Sequence, residues 1–144
     1  MSRRFAIIAA ACLLPLAACT ARTPGDEAPD PRLASAAGIY VLATIDGHAL
    51  PHAPTHGGHA APEVSAATLE LAPDGSFRMS MRYRMGSGAK ERTGTRDFTG
   101  RARVADEAFR LKWDGAGETA ARLRGDTLVL DNEGVLFAYR RTGG

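Results

Sequence analysis

Cysteine is nearly absent from this sequence of 144 residues, and both copies, Cys12 and Cys19, lie close to the first residue. Residues 20–144 hold no thiol. Disulfide bonds, cysteine nucleophiles and cysteine-ligated zinc are therefore excluded from that part of the chain.

Long apolar runs are also missing, since a helix needs about 20 apolar residues to cross a bilayer. An uncharged apolar run covers the fourteen residues 5–18 and follows Arg3 and Arg4. A short basic segment followed by an apolar run of this length is typical of a secretory signal. The sequence therefore predicts a signal peptide over residues 1–18.

Neither sign of charge is in excess. The chain has 18 Lys and Arg against 16 Asp and Glu, and removal of Arg3 and Arg4 with the signal peptide leaves a formal charge of zero. Proteins that bind nucleic acid usually carry a basic excess. We therefore expect no nucleic-acid partner.

Common catalytic motifs are missing as well. The sequence has no G-x-S-x-G, HExxH, phosphate-binding loop or dinucleotide fingerprint. Nucleophilic catalysis needs a base beside its nucleophile, and all four histidines are crowded into one loop. We therefore expect a protein that is not an enzyme and has no obligatory cofactor.

The apolar run ends in Leu16-Ala17-Ala18-Cys19, which resembles the lipobox of bacterial lipoproteins. The resemblance implies lipidation of Cys19 with diacylglycerol and an amide-linked chain such as palmitate, and several acyl chains anchor a protein stably. Thr20 stands where an inner-membrane lipoprotein usually has aspartate, which implies the periplasmic face of the outer membrane. An ordinary signal-peptide cleavage site is the alternative.

Residues 19–37 continue from Cys19 as TARTPGDEAPDPRLASAA, in which Leu33 is the only large apolar residue. A segment of this composition buries little surface. We therefore predict a flexible linker over residues 19–37, joined to a single domain over residues 38–144.

The domain alternates apolar and polar residues almost throughout, which is the signal of half-buried strands. The clearest stretch is SFRMSMRYRM at residues 76–85, and turns rich in Gly, Asn and Asp separate such stretches. The pattern predicts an all-β fold, a small antiparallel up-and-down barrel that leaves no exposed edge. About eight strands are expected near residues 38–46, 65–72, 76–86, 95–104, 107–113, 118–124, 126–131 and 134–141.

Two features resemble the lipocalin-like domains of small bacterial lipoproteins. The first strand opens with Gly38 and Tyr40, similar to the Gly-x-Trp of that family. The last strand ends in Arg140 and Arg141, where the family has an arginine packed across the first-strand aromatic residue. META-type domains are a weaker resemblance, because their Gly-Cys-Asn segment is absent here.

The lipocalin-like resemblance implies a small apolar ligand at the mouth of the barrel, although short strands predict a shallow interior that side chains can fill. The alternative is a structural module of the cell envelope that binds a protein partner. The residues predicted to form the core or the ligand pocket are Tyr40, Leu42, Phe77, Met79, Met81, Tyr83, Trp113, Phe137, Tyr139 and Arg140.

The segment HALPHAPTHGGH, residues 48–59, contains every histidine of the chain. Imidazole is a good ligand for Zn, Cu and Ni, so a loop of this composition could hold a transition metal. Proline and glycine at four of its positions argue against a helix, so the site would have to assemble on binding. The alternative is a solvated connection between strands, which could cover one end of the barrel. The candidate metal ligands are His48, His52, His56 and His59.

Overall fold

The computed structural model describes residues 28–56 and 59–143, without the side chains of residues 56–60. The described residues form one short helix, a 3-10 turn at Gly88–Lys90 and eleven strands. Their bounds are α1 Pro31–Ala36, β1 Gly38–Ile45, β2 His48–Ala49, β3 Thr55–His56, β4 His59–Ala60, β5 Glu63–Leu71, β6 Ser76–Met85, β7 Arg92–Ala105, β8 Ala108–Trp113, β9 Glu118–Arg124, β10 Thr127–Asn132 and β11 Val135–Arg141.

Eight of these strands form a closed antiparallel barrel. Each strand from β5 to β11 pairs with the next along the chain, β1 pairs with β5, and β11 returns to pair with β1. The short strand β2 is an extra pairing at the end of β1. The predicted all-β up-and-down barrel of about eight strands is confirmed.

Side chains that point inward fill the half of this barrel that lies next to α1, which is called the lower half. Leu69, Leu111, Leu128 and Tyr139 are at most 1% exposed, although each comes from a different strand. A fully buried leucine side chain stabilises a fold by about 1.5–3 kcal/mol relative to an exposed one. Burial of alternate residues on every strand is therefore the main stabilising contribution.

One end of the barrel is closed by α1 and is called the sealed end; it also contains the turns at residues 72–75, 106–107 and 125–126. The side chain of Asp30 caps the helix and Pro31 begins it, a favoured arrangement for a helix start. Leu33 and Ala36 are buried, and a Cβ on Gly75 would lie only 3.2 Å from Leu33 Cδ1.

The predicted flexible linker is therefore wrong over Pro31–Ala36. Six residues are too few to show helical periodicity, and the single large side chain of the segment, Leu33, is the one that packs on the barrel. The folded domain thus begins before Gly38. Residues 1–27, which include the predicted signal peptide and Cys19, lie outside the described residues.

Tyr40 links α1 to β1 and β11, the two strands whose pairing closes the barrel. Its hydroxyl donates to the carbonyl oxygen of Ala36 at 2.5 Å and accepts from Arg141 Nη2 at 2.7 Å. The guanidinium of Arg141 also lies 5.3 Å from the centre of the Tyr40 ring and donates to the carbonyl oxygen of Ser35.

The placement of Arg140 in the core or pocket is wrong, because its side chain is exposed. Side chains alternate along a strand. Tyr139 points inward, so Arg140 points outward and Arg141 returns to the side of Tyr40.

The other end, called the open end, contains the loop that is described at residues 46–56 and 59–62 and the turns at 86–91, 114–117 and 133–134. The loop folds back over the barrel: His52 forms a bridge with Val64, and β3 pairs with β4 as a small hairpin. Asp46 fixes the start of the loop, since its carboxylate accepts from the backbone N–H of Leu136 at 2.8 Å. No helix in the described part of the chain is long and apolar enough to cross a membrane.

A substitution at Gly100 tests how tightly the lower half of the barrel is packed. A Cβ there would lie 2.5 Å from Phe77 Cζ and would also meet the carbonyl oxygen of Lys112. We expect Gly100→Ala to lower the free energy of unfolding by about 3 kcal/mol, because neither backbone nor ring can yield easily. Urea unfolding measures this. The control is Gly117→Ala, where no heavy atom lies within 4 Å; equal losses in both variants would contradict the packing described.

Candidate functional site

The open end contains two adjoining cavities, of about 320 Å³ and about 360 Å³. Both are near the lower limit for small-molecule sites, which span roughly 300–1,000 Å³. The first cavity is lined mainly by β6, β9, β10 and β11, and the second is also lined by Pro54, Ala61 and Pro62 of the loop at the open end. Five residues line both cavities: Met81, Phe98, Asn132, Glu133 and Phe137.

The floor of the first cavity is formed by Met79 and Tyr139. The Tyr139 hydroxyl donates to Met79 Sδ at 3.2 Å, and burial raises the pKa of Tyr139 well above its usual range. Both side chains are at most 5% exposed, so the cavity ends here and does not continue into the filled lower half.

Two aromatic side chains, Phe98 and Trp113, line the first cavity, and Phe77 packs against Trp113. The Trp113 ring makes edge contacts with Phe77 and Phe98, at centroid distances of 4.8 Å and 5.9 Å. Its indole N–H donates to Thr119 Oγ1 at 2.8 Å. This bond satisfies the polar groups of both residues and holds Trp113 at the edge of the first cavity.

The apolar part of the boundary between the cavities includes adaptable side chains. Met81 and Phe137 are half-buried and line both cavities. Methionine has three rotatable bonds and fills irregular apolar space. The boundary can therefore adjust to the shape of a bound molecule without breaking a hydrogen bond.

Charged groups lie only at the rim. Arg96 lines the second cavity, and its guanidinium carbon is 5.7 Å from the centre of the Tyr83 ring. Glu118 lines the first cavity but is bound to Arg103 outside, with oxygens 3.0 and 3.1 Å from Nη2. Glu133 approaches both cavities from the turn between β10 and β11. The interior is thus apolar, and ionic contacts are confined to the mouth.

The residues that the sequence assigned to the core or pocket divide into three groups. Met79, Met81, Trp113, Phe137 and Tyr139 line the first cavity, and Tyr83 lines the second with Met81 and Phe137. Tyr40, Leu42 and Phe77 are buried and line neither of these cavities. Arg140 is exposed, as described above.

Two cavity residues on β7, Arg96 and Phe98, were missed at the sequence level. The even-numbered residues of this strand point inward, and they include Gly94, Gly100 and an arginine as well as Phe98. Residues without a large apolar side chain therefore interrupted the alternation. Phe98 could have been predicted to point inward from the strand register, because it pairs with the inward-facing Met79 on β6.

The four histidines divide into two pairs. The rings of His48 and His52 stack at 4.6 Å with an interplanar angle of 17°. Nitrogen lone pairs lie in the ring plane, so stacked rings do not aim them at one ion between the two faces. His56 and His59 face each other across β3 and β4, but their side chains are outside the described structure.

Over the described residues, no group of three or more His, Cys, Asp or Glu side chains could hold a metal ion. The predicted metal site therefore gains no support from His48 and His52. Participation of His56 and His59 stays a prediction.

The fold and the cavities define a small antiparallel β-barrel with one sealed end and one open apolar end. No family model matches the chain, and neither a curated protein nor a solved structure matches it. The description of the protein as a small β-barrel with one open apolar end therefore rests on its own fold and cavities.

The raised pKa of Tyr139 predicts a loss of stability in alkali. The folded state keeps the proton to higher pH than the unfolded state, so stability is complete below the unfolded pKa of about 10 and falls as pH rises above it, by up to about 1.4 kcal/mol per pH unit. We expect Tyr139→Phe to flatten this decline when urea unfolding is measured from about pH 8 to about pH 11, on both sides of the unfolded pKa of about 10. Tyr83→Phe at the half-buried mouth is the control, and an unchanged slope in Tyr139→Phe would contradict the prediction.

Proposed function

We propose that this protein is a lipoprotein of the cell envelope that binds a small apolar molecule in the open end of its barrel. The observation that carries the proposal is the pair of adjoining cavities, whose shared boundary is made by Met81, Phe98 and Phe137. Apolar cavities with a few polar groups at the rim are typical of small-molecule sites.

The packing of the barrel supports a binding role for this end. The lower half is filled and sealed by α1, whereas the upper half keeps space that its own side chains do not occupy. An apolar molecule entering that space removes apolar surface from water, which contributes about 25 cal/mol per Å² of buried area. The walls are supported by hydrogen-bonded strands, so little ordering is needed on binding.

A second candidate is an envelope-protein partner. Ile39 and Val41 on β1 and Leu136 on the adjacent β11 are 48%, 41% and 44% exposed. These aliphatic side chains lie outside the barrel, away from both cavities. The outer face of β1 at Ile39 and Val41 becomes the better candidate if the cavities bind no apolar probe.

A larger side chain at the boundary between the two cavities tests the binding role. We expect the apolar dye phenylnaphthylamine to gain fluorescence on binding the full chain. Met81→Trp should weaken that binding about tenfold or more, because the larger side chain would occupy space that the dye needs. The control is Arg82→Trp, which places the same side chain on the exposed outer face of β6.

Circular dichroism would establish that both variants are folded. Equal dye affinity in Met81→Trp and the wild type would contradict binding in these cavities. Absence of dye binding to the wild type would contradict the proposed function itself.

The two cysteines provide a matched test of the anchor. In a Gram-negative host, we expect the wild type and Cys12→Ser to incorporate labelled palmitate and to sediment with the outer membrane. Cys19→Ser should do neither, because Cys19 is the residue aligned with the lipobox cysteine. Labelling of Cys19→Ser would contradict the proposed site of lipidation.

A further inference from the structure

We propose that the ligand is an anionic amphiphile, whose acidic head group binds Arg96 while its apolar part occupies the first cavity. This inference rests on the proposed function, that the open end binds a small apolar molecule. It adds the chemical class of that molecule and the direction in which it lies.

Arg96 is the cation that the barrel turns toward this site. The inward-facing residues of β7 run from Phe98 to Arg96 and then to Gly94 as the strand approaches the mouth. Across the ladder, Arg96 lies opposite Met81, and Phe98 lies opposite Met79. Two residues of a strand span about 7 Å. The guanidinium therefore stands one step above the apolar wall of the first cavity.

Two acidic residues near this end are paired with other arginines. Glu63 binds Arg84 at 2.6 Å, and Glu118 binds Arg103 at 3.0 Å. Within residues 28–56 and 59–143, Arg96 forms no ion pair, and its recorded partner is the ring of Tyr83. A cation beside an apolar cavity gains most from an anion that arrives with the ligand, because its own partner is an uncharged ring.

Tyr83 and Gly94 keep the guanidinium at the rim. A Cβ at Gly94 would lie 2.8 Å from the Tyr83 hydroxyl oxygen, so the glycine is what lets the ring lie across β7. The ring then supports Arg96 from one side. A planar guanidinium held in this way presents several N–H donors together, which suits the paired oxygens of a carboxylate or phosphate.

The surroundings determine which way the ligand points. The first cavity ends on Met79 and Tyr139, which suit an apolar tail. Arg96 lines the second cavity beside the boundary that both cavities share. An acidic head at Arg96 and a tail beside Trp113 fit these positions. Cavities of about 320 and 360 Å³ restrict the ligand to a molecule with a single short tail.

Three amphiphiles with tails of the same length and different head groups test the proposal. The full chain is titrated with decanoate, decanol and decyltrimethylammonium, and binding is followed by the fluorescence of Trp113, the single tryptophan of the sequence. We expect decanoate to bind about tenfold more tightly than decanol, a moderate value for a charge-assisted hydrogen bond at a partly exposed site. The cationic amphiphile should bind more weakly than either.

Arg96→Gln should reduce the affinity for decanoate to that for decanol and leave decanol binding unchanged. Decanol is thus the internal test that the variant is folded. The matched control is Arg82→Gln, because Arg82 is exposed on the outer face of β6, and this variant should keep the wild-type preference.

Equal binding of decanoate and decanol to the wild type would overturn this inference while leaving the proposed function standing. Persistence of the preference in Arg96→Gln would also overturn it. Failure of all three amphiphiles to bind would contradict the proposed function as well. Decyl phosphate distinguishes the two sources of negative charge: tighter binding than decanoate assigns a phosphate head, and weaker binding assigns a carboxylate.

Discussion

Closure of the barrel depends on the pairing of β1 with β11, and Tyr40 is the side chain that secures this seam. Its hydroxyl donates to the helix α1 and accepts from Arg141 on β11, while its ring lies under the guanidinium. A buried hydroxyl left without partners is costly, and here every partner belongs to a different element. Tyr40 of the first strand therefore contacts both the last strand and the helix, in addition to the backbone pairing of the two strands.

The two ends of the barrel use the same kinds of side chain for different purposes. At the sealed end, Leu33 and Ala36 of α1 complete the packing begun by the strands. At the open end, Met81 and Phe137 remain half-buried because no helix of the described residues covers them. The cavity is thus a consequence of covering one end only. The barrel walls retain their hydrogen bonds throughout, which gives the open end defined walls.

Period-two alternation was sufficient to predict the eight barrel strands and the inward set on β6, because a strand with one wet face repeats strictly every two residues. It was insufficient on β7, where Gly94 and Gly100 are required by the rings of Tyr83 and Phe77 packed against them. These contacts come from a neighbouring strand and leave no local signal. The same holds for α1 and for the choice of Arg141 over Arg140, since both depend on what the folded barrel places beside them.

The position of α1 has a consequence for how the barrel would stand on a membrane. The chain enters the described domain at the sealed end, opposite the two cavities. If Cys19 carries the proposed anchor, the barrel is attached through the end that α1 closes, and the two cavities lie at the end away from the attachment.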